Sequence, residues 1–129
     1  MSKRVLIADD NKSVRKAIRS ILNTNWPDLE VCAETSDGRE TVNAASELQP
    51  DLLILDVRMP QLNGIEVASI VKRKLPRAKT LLFTMYSDHV GETLAAAAGV
   101  SVVLPKIDGV RGFTRAVESL LQEDSKSPN

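Results

Sequence analysis

Short apolar runs alternate along the chain with longer amphipathic stretches. The runs are VLIA (5–8), LEVCAE (29–34), LLILD (52–56), TLLFT (80–84) and VSVVL (100–104). Between the first two, Val14, Ala17, Ile18, Ile21 and Leu22 recur at i, i+3, i+4, i+7 and i+8, which predicts a helix with one apolar face. Phe113, Ala116, Val117, Leu120 and Leu121 repeat that spacing, and Val67, Val71 and Leu75 mark another helix closed by Pro76. Residues 39–48 and 88–98 carry weaker helical patterns. In the second of these, Gly91 and the run AAAA (95–98) offer little to anchor a helix.

Strands and helices in strict alternation predict a parallel sheet covered on both faces. The first, third and fourth runs are almost wholly apolar, as central strands buried on both sides must be. LEVCAE instead alternates Leu29, Val31 and Ala33 with Glu30, Cys32 and Glu34, the pattern of an edge strand with one wetter face. A doubly wound α/β sheet in the order 2-1-3-4-5, with five helices, satisfies both observations. In that order the chain reverses direction between the first and third strands, opening a crevice at their carboxyl ends. Those ends are Asp9-Asp10 and Asp56, which predicts three neighbouring carboxylates.

Such a cluster is expensive. At ~4 Å and an effective dielectric near 20, each like-charged pair costs about 4 kcal/mol, against a total stability of ~5–15 kcal/mol. A cation or a shared proton relieves it. An all-oxygen donor set in an open cleft, with no His or Cys nearby, favours Mg²⁺ over zinc. The competing reading makes Asp9 and Asp10 solvated loop residues, one of them capping the helix that starts near Lys12. That reading explains one aspartate but not a doublet facing a third. The fourth run ends at Thr84, and the fifth leads into Pro105-Lys106, so a hydroxyl and an ammonium are expected at the same crevice. With a metal they would suit an anion such as a phosphoryl group on an aspartate.

Composition narrows the setting. A chain of 129 residues, 43% apolar and 26% charged, is one globular domain. Its formal net charge of +0 gives no global basic bias toward nucleic acid. The single cysteine, Cys32, excludes an intrachain disulfide framework and suits a reducing cytoplasm. No stretch reaches 18 apolar residues, and the N-terminal apolar run is too short for a signal peptide. The expected localisation is cytoplasmic, without membrane contact.

Along nearly its full length the chain resembles the receiver domains of bacterial two-component response regulators. The stretches that carry the resemblance are LIADD with the following SVR, DLLILDVRMPQLNGIE, LLFT, AAAAGVS and the region of Lys106. The most specific is DVRMPQLNG, where the family places its phosphoacceptor aspartate, a proline four residues on and a glycine eight on: here Asp56, Pro60 and Gly64. The resemblance implies a flavodoxin-like fold and phosphorylation of Asp56 by a sensor histidine kinase or a histidine phosphotransfer protein. It further implies that Asp10, Asp56 and the backbone carbonyl of Arg58 bind Mg²⁺, Asp9 through water. Thr84 would bind the phosphoryl group and Lys106 would pair with it. Signalling would run through the face of the fourth helix, fifth strand and fifth helix, with homodimerisation on phosphorylation as one outcome. DVRMP and LFTMYSDH most resemble receivers of LuxR/FixJ-class transcription regulators. Residues 1–123 are accordingly read as the receiver and 124–129 as a tail or the start of a linker. The expectation is an excised receiver, with any DNA contact left to a C-terminal output domain and none made by the receiver itself.

The chain departs from the family at two places. Val103 stands where receivers usually carry Tyr or Phe, and it is too small for that ring's rotamer swing. Where the family often has Lys followed by a cis proline, this chain reads Pro105-Lys106-Ile107, so no cis bond is expected. Arg58 and Tyr86 flank the site and are expected to slow self-dephosphorylation. Among singletons, His89 is expected at the surface at the start of a helix, Trp26 over the end of the first helix, and Met59 in the loop after Asp56. Three other functions compete with this reading. A degenerate receiver would keep the fold as an interaction module without phosphorylation; the complete Asp/Asp/Asp/Thr/Lys set opposes that. An aspartyl-phosphate phosphatase would need a second Asp where Arg58 stands. A flavin binder would need a Ser/Thr/Gly-rich loop where DDNKS stands. The module is therefore not expected to be a turnover enzyme.

Overall fold

A computed structural model describes residues 3–85 and 89–125, with side chains over 3–85 and 93–122. The strands are β1 (Arg4–Ala8), β2 (Glu30–Thr35), β3 (Leu52–Leu55), β4 (Lys79–Thr84) and β5 (Val102–Pro105). The helices are α1 (Lys12–Asn25), α2 (Gly38–Leu48), α3 (Gly64–Lys74), α4 (His89–Ala97) and α5 (Gly109–Ser125). All neighbouring strands pair in parallel, in the order β2-β1-β3-β4-β5, which is the expected doubly wound sheet.

Period-two side-chain geometry splits the central strands between two cores. Val5, Ile7, Leu52, Ile54 and Leu81 pack against Ile18 and Leu22 of α1 and Phe113, Val117 and Leu120 of α5. Leu6, Ala8, Leu53, Leu55 and Leu82 face the other way, onto Ala45 of α2, Val67, Ala68 and Val71 of α3, and Ala95 of α4. The β3 side chains are at most 1% exposed, so truncating one to alanine costs about 2–5 kcal/mol. The predicted faces of α1 and α5 are those that pack, except that Ala17 is exposed. Trp26 caps the end of α1 and packs on the first core, and Met59 is buried in the second.

The edge strand corrects one expectation. Val5 pairs with Val31, but Leu6 pairs with Ala33, so Cys32 is an extra residue in a β-bulge. The bulge shifts every later side chain to the opposite face. Val31 packs with the α1/α5 core and Ala33 with the α2/α3/α4 core, although strict alternation would have put them together. Glu34 consequently points toward α1, where Arg15 and Arg19 meet it. Thr35 turns toward α2, where its hydroxyl lies 2.7 Å from that of Thr41.

The helix starts are locally encoded. Asn11 caps α1 by accepting from Val14 N–H, and Asp37 caps α2 by accepting from Glu40 N–H. Asn63 and Glu66 form a reciprocal capping box at α3, whose last turn carries Lys72, Arg73 and Lys74 against the negative end of the helix dipole. No peptide bond among the described residues is cis. Tyr86 lies outside the described residues, as does the side chain of His89, at whose position α4 begins.

Candidate functional site

At the carboxyl edge of the sheet, β1 and β3 end side by side. The ladder continues one residue past each strand: Asp9 N–H donates to Thr35 O, and Asp56 N–H donates to Ala8 O at 2.9 Å. These bonds hold Asp56 beside the acidic pair. One carboxylate oxygen from each of Asp9, Asp10 and Asp56 lies within 4.8 Å of the other two. Asp9 and Asp56 are buried, at 2% and 8% exposure, and Asp10 is exposed. They line an open cleft with Asn11, Val14, Arg58, Met85 and Lys106.

The burial of two carboxylates raises the question of what compensates them. Lys106 provides part of the answer: Nζ donates to Asp9 Oδ2 at 3.0 Å and lies 3.7 Å from Asp56 Oδ1. It sits in a single 3-10 turn, Lys106–Asp108, that directly follows β5, and its ammonium lies 5.9 Å from the centre of the Phe83 ring. The other Asp9 oxygen accepts from Asn11 N–H at 2.9 Å, and the Asp9 carbonyl accepts from Arg15 Nη1. Both Asp9 oxygens are thus engaged. Asp10 makes no hydrogen bond through its carboxylate among the described residues. Neither aspartate caps α1; that role falls to Asn11.

Asp56 remains under-compensated. Its pKa is pushed above the ordinary carboxylate value, foremost by burial and next by the Asp9 charge, while Lys106 pulls it back. Thr84, at the end of β4, is 1% exposed and opposite Pro105 in the register.

The loop after Asp56 is held by two close backbone approaches. Gly64 N–H donates to Val57 O, and a Cβ on Gly64 would stand 2.2 Å from the Asp56 carbonyl oxygen. Gly38 N–H donates to Pro60 O, and a Cβ there would stand 2.0 Å from Leu62 O. Only glycine fits these contacts. Arg58, whose backbone carbonyl the family resemblance implies as a ligand, lies in this anchored segment, with its side chain exposed at the cleft. Asn11 and Arg15, which hold Asp9 through its carboxylate and carbonyl, escaped the sequence reading. The only available signal was their position within DDNKSVR.

A family model for the response regulator receiver domain matches residues 5–118. The chain belongs to the response regulator receiver family. This receiver is 33% identical over 125 residues to the response regulator protein VraR of Staphylococcus aureus, a match covering 97% of this chain and 59% of VraR. The receiver therefore spans about three-fifths of the length of the relatives it matches. Among solved structures it is similar to a LuxR-family two-component response regulator from Aurantimonas sp. SI85-9A1, with a TM-score of 0.88 and 27% identity over 95% of this chain and 87% of that one. It is also similar to the REC domain of AraT, a response regulator from Geobacillus stearothermophilus, with a TM-score of 0.86, 29% identity, and coverage of 98% and 100%. Among the described residues no helix is long and apolar enough to cross a membrane.

Proposed function

We propose that this receiver accepts a phosphoryl group on Asp56 in a Mg²⁺-dependent reaction and signals by altering its α4-β5-α5 face. The observation that carries the reading is the environment of Asp56, a buried carboxylate between Asp9 and Lys106 at the mouth of a cleft. The donors of a histidine kinase or a histidine phosphotransfer protein fit this chemistry. In the transfer, an Asp56 Oδ forms the O–P bond as the P–N bond to the donor histidine breaks, leaving that electron pair on the imidazole. Lys106, already within 3.7 Å of Asp56, pairs with the incoming oxygens, and the Thr84 hydroxyl donates to one of them.

The acidic cluster fits a hard divalent cation. It is all oxygen: as in the family it resembles, Asp10, Asp56 and the Arg58 carbonyl would hold the cation, with Asp9, whose oxygens accept from Asn11 N–H and Lys106, acting through water. When bound, Mg²⁺ supplies neutralisation of the phosphoryl oxygens during transfer.

Exposed apolar side chains support an output surface on the named face. Leu94 on α4, Ile107 after β5 and Val110 on α5 are 54%, 91% and 59% exposed. Dimerisation on phosphorylation through this face is part of the same proposal. A C-terminal output domain that binds DNA also belongs to this proposal; the relative VraR is longer than this chain, and one similar structure is a LuxR-family response regulator. Incubation with acetyl phosphate and Mg²⁺, followed by intact mass spectrometry, tests the reading. One added phosphoryl group is expected, and none when Mg²⁺ is chelated; an unmodified wild-type protein would leave only a phosphorylation-independent interaction module.

A further inference from the structure

Arg15 lies on the first turn of α1, and its side chain is only 16% exposed. The guanidinium makes one hydrogen bond among the described residues, and its acceptor is the backbone carbonyl of Asp9, 2.6 Å from Nη1. Its Nε is buried without an acceptor. Glu34 Oε1 stands 3.6 Å from Nε, close enough to attract the charge but too far for a hydrogen bond. Glu34 is itself held by Arg19, whose Nε donates to Oε2 at 2.5 Å and whose Nη2 contacts the same oxygen.

An arrangement that served only to join α1 to β2 would place Arg15 squarely on Glu34, satisfying Nε. Here that bond is missing, and the guanidinium instead reaches the carbonyl that begins the Asp9–Asp10 peptide. Asp9 N–H is fixed by Thr35 and its carboxylate by Asn11 and Lys106. Fixing the carbonyl as well sets the plane of the next peptide, and with it the direction in which Asp10 leaves the chain. The β2 bulge at Cys32 is what turns Glu34 toward α1 to support Arg15.

We propose that Arg15, steadied by Glu34, is a positioning residue for the metal site, orienting Asp10 toward the cation. The inference rests on the Mg²⁺ reading above. Groups that orient metal ligands without touching the metal commonly alter affinity by roughly tenfold to a hundredfold when removed.

The test is a titration of the ¹⁵N-labelled protein with Mg²⁺, reading the dissociation constant from backbone amide shifts near residues 10 and 57. Arg15→Ala is expected to weaken Mg²⁺ binding by about tenfold or more. Arg15→Lys, which keeps the charge but loses the planar fork, is expected to lie between Ala and wild type, and Glu34→Gln to weaken binding by a smaller factor. The Mg²⁺ concentration that half-saturates phosphorylation by acetyl phosphate should rise in parallel. Arg4→Ala, which breaks an ion pair with Glu30 at the opposite end of β1, serves as the control for general loosening and should bind Mg²⁺ like wild type. Wild-type Mg²⁺ affinity in folded Arg15→Ala, or in Arg15→Lys should the alanine variant not fold, would overturn the inference. Absence of Mg²⁺ shifts in wild type would instead overturn the metal reading beneath it.

Discussion

The Lys106 ammonium donates to Asp9 Oδ2 at 3.0 Å, joining residues 97 positions apart in the chain. Asp9 is almost fully buried, and Asp56 is the next carboxylate in reach, at 3.7 Å. One cation therefore offsets parts of two buried charges. Removing one partner of a buried pair leaves the other uncompensated, which costs more than the pair contributed. Lys106→Ala should accordingly lower stability by about 3–5 kcal/mol in EDTA. Added Mg²⁺ should recover more stability in this variant than in wild type, because a bound cation replaces part of the lost charge. Urea denaturation with and without Mg²⁺ measures both; equal Mg²⁺ gains in the two proteins would contradict the charge argument.

The raised pKa of Asp56 makes a prediction with a definite sign. Burial, and then Asp9, disfavour its charged form in the folded state. The folded protein thus holds this proton more tightly than the unfolded chain. Stability contributed at this position is present below the unfolded carboxylate value of ~3.9 and is lost as pH rises through the higher folded value. Asp56→Asn removes the penalised charge and should stabilise the metal-free protein at pH 7 by roughly 1 kcal/mol, or about 3–5 °C in Tm. The advantage should shrink as pH falls toward ~3.9. Thermal melts in EDTA across pH test it, and a destabilised Asn variant at neutral pH would count against the assigned cause.

Gly64 touches the site through the backbone. A Cβ there would overlap the Asp56 carbonyl oxygen, which belongs to rigid main chain at the end of β3. The atoms cannot separate without moving α3 or the 56–63 loop. Gly64→Ala should cost about 2–4 kcal/mol and should slow phosphorylation at saturating Mg²⁺ in whatever fraction remains folded. Chemical denaturation together with the acetyl phosphate reaction measures both effects. A variant with wild-type stability would mean that the loop yields easily.

The fold was largely legible because its central strands are apolar on both faces and its two longest helices keep a clear period. VLIA and LLIL could hardly be anything but buried parallel strands, and their ends located the carboxylates. LEVCAE misled for a physical reason. Its alternation fits an unbroken strand, and only pairing with β1 reveals that Cys32 is inserted and that Val31 and Ala33 diverge. Ala17 fits the helical stripe by spacing, but a methyl group does little to compel burial, and it faces solvent. In the site, residue types suggested the acidic cluster, whereas the holding interactions were invisible. Asn11 and Arg15 act on Asp9 through backbone atoms, whose partners no residue pattern displays. Lys106 was expected to pair with a phosphoryl group; its bond to Asp9 depends on the 3-10 turn that follows β5.

The central claim is that Asp56, and neither carboxylate of the adjacent pair, receives the phosphoryl group. Borohydride reduction of the phosphorylated protein converts an aspartyl phosphate to homoserine and marks the residue that carried it. After reaction with acetyl phosphate and Mg²⁺, peptide sequencing by mass spectrometry should find homoserine at position 56 alone, and at no position when Asp56→Ala is treated in the same way. Homoserine at position 9 or 10 in the wild-type protein, or none at position 56, would contradict the account.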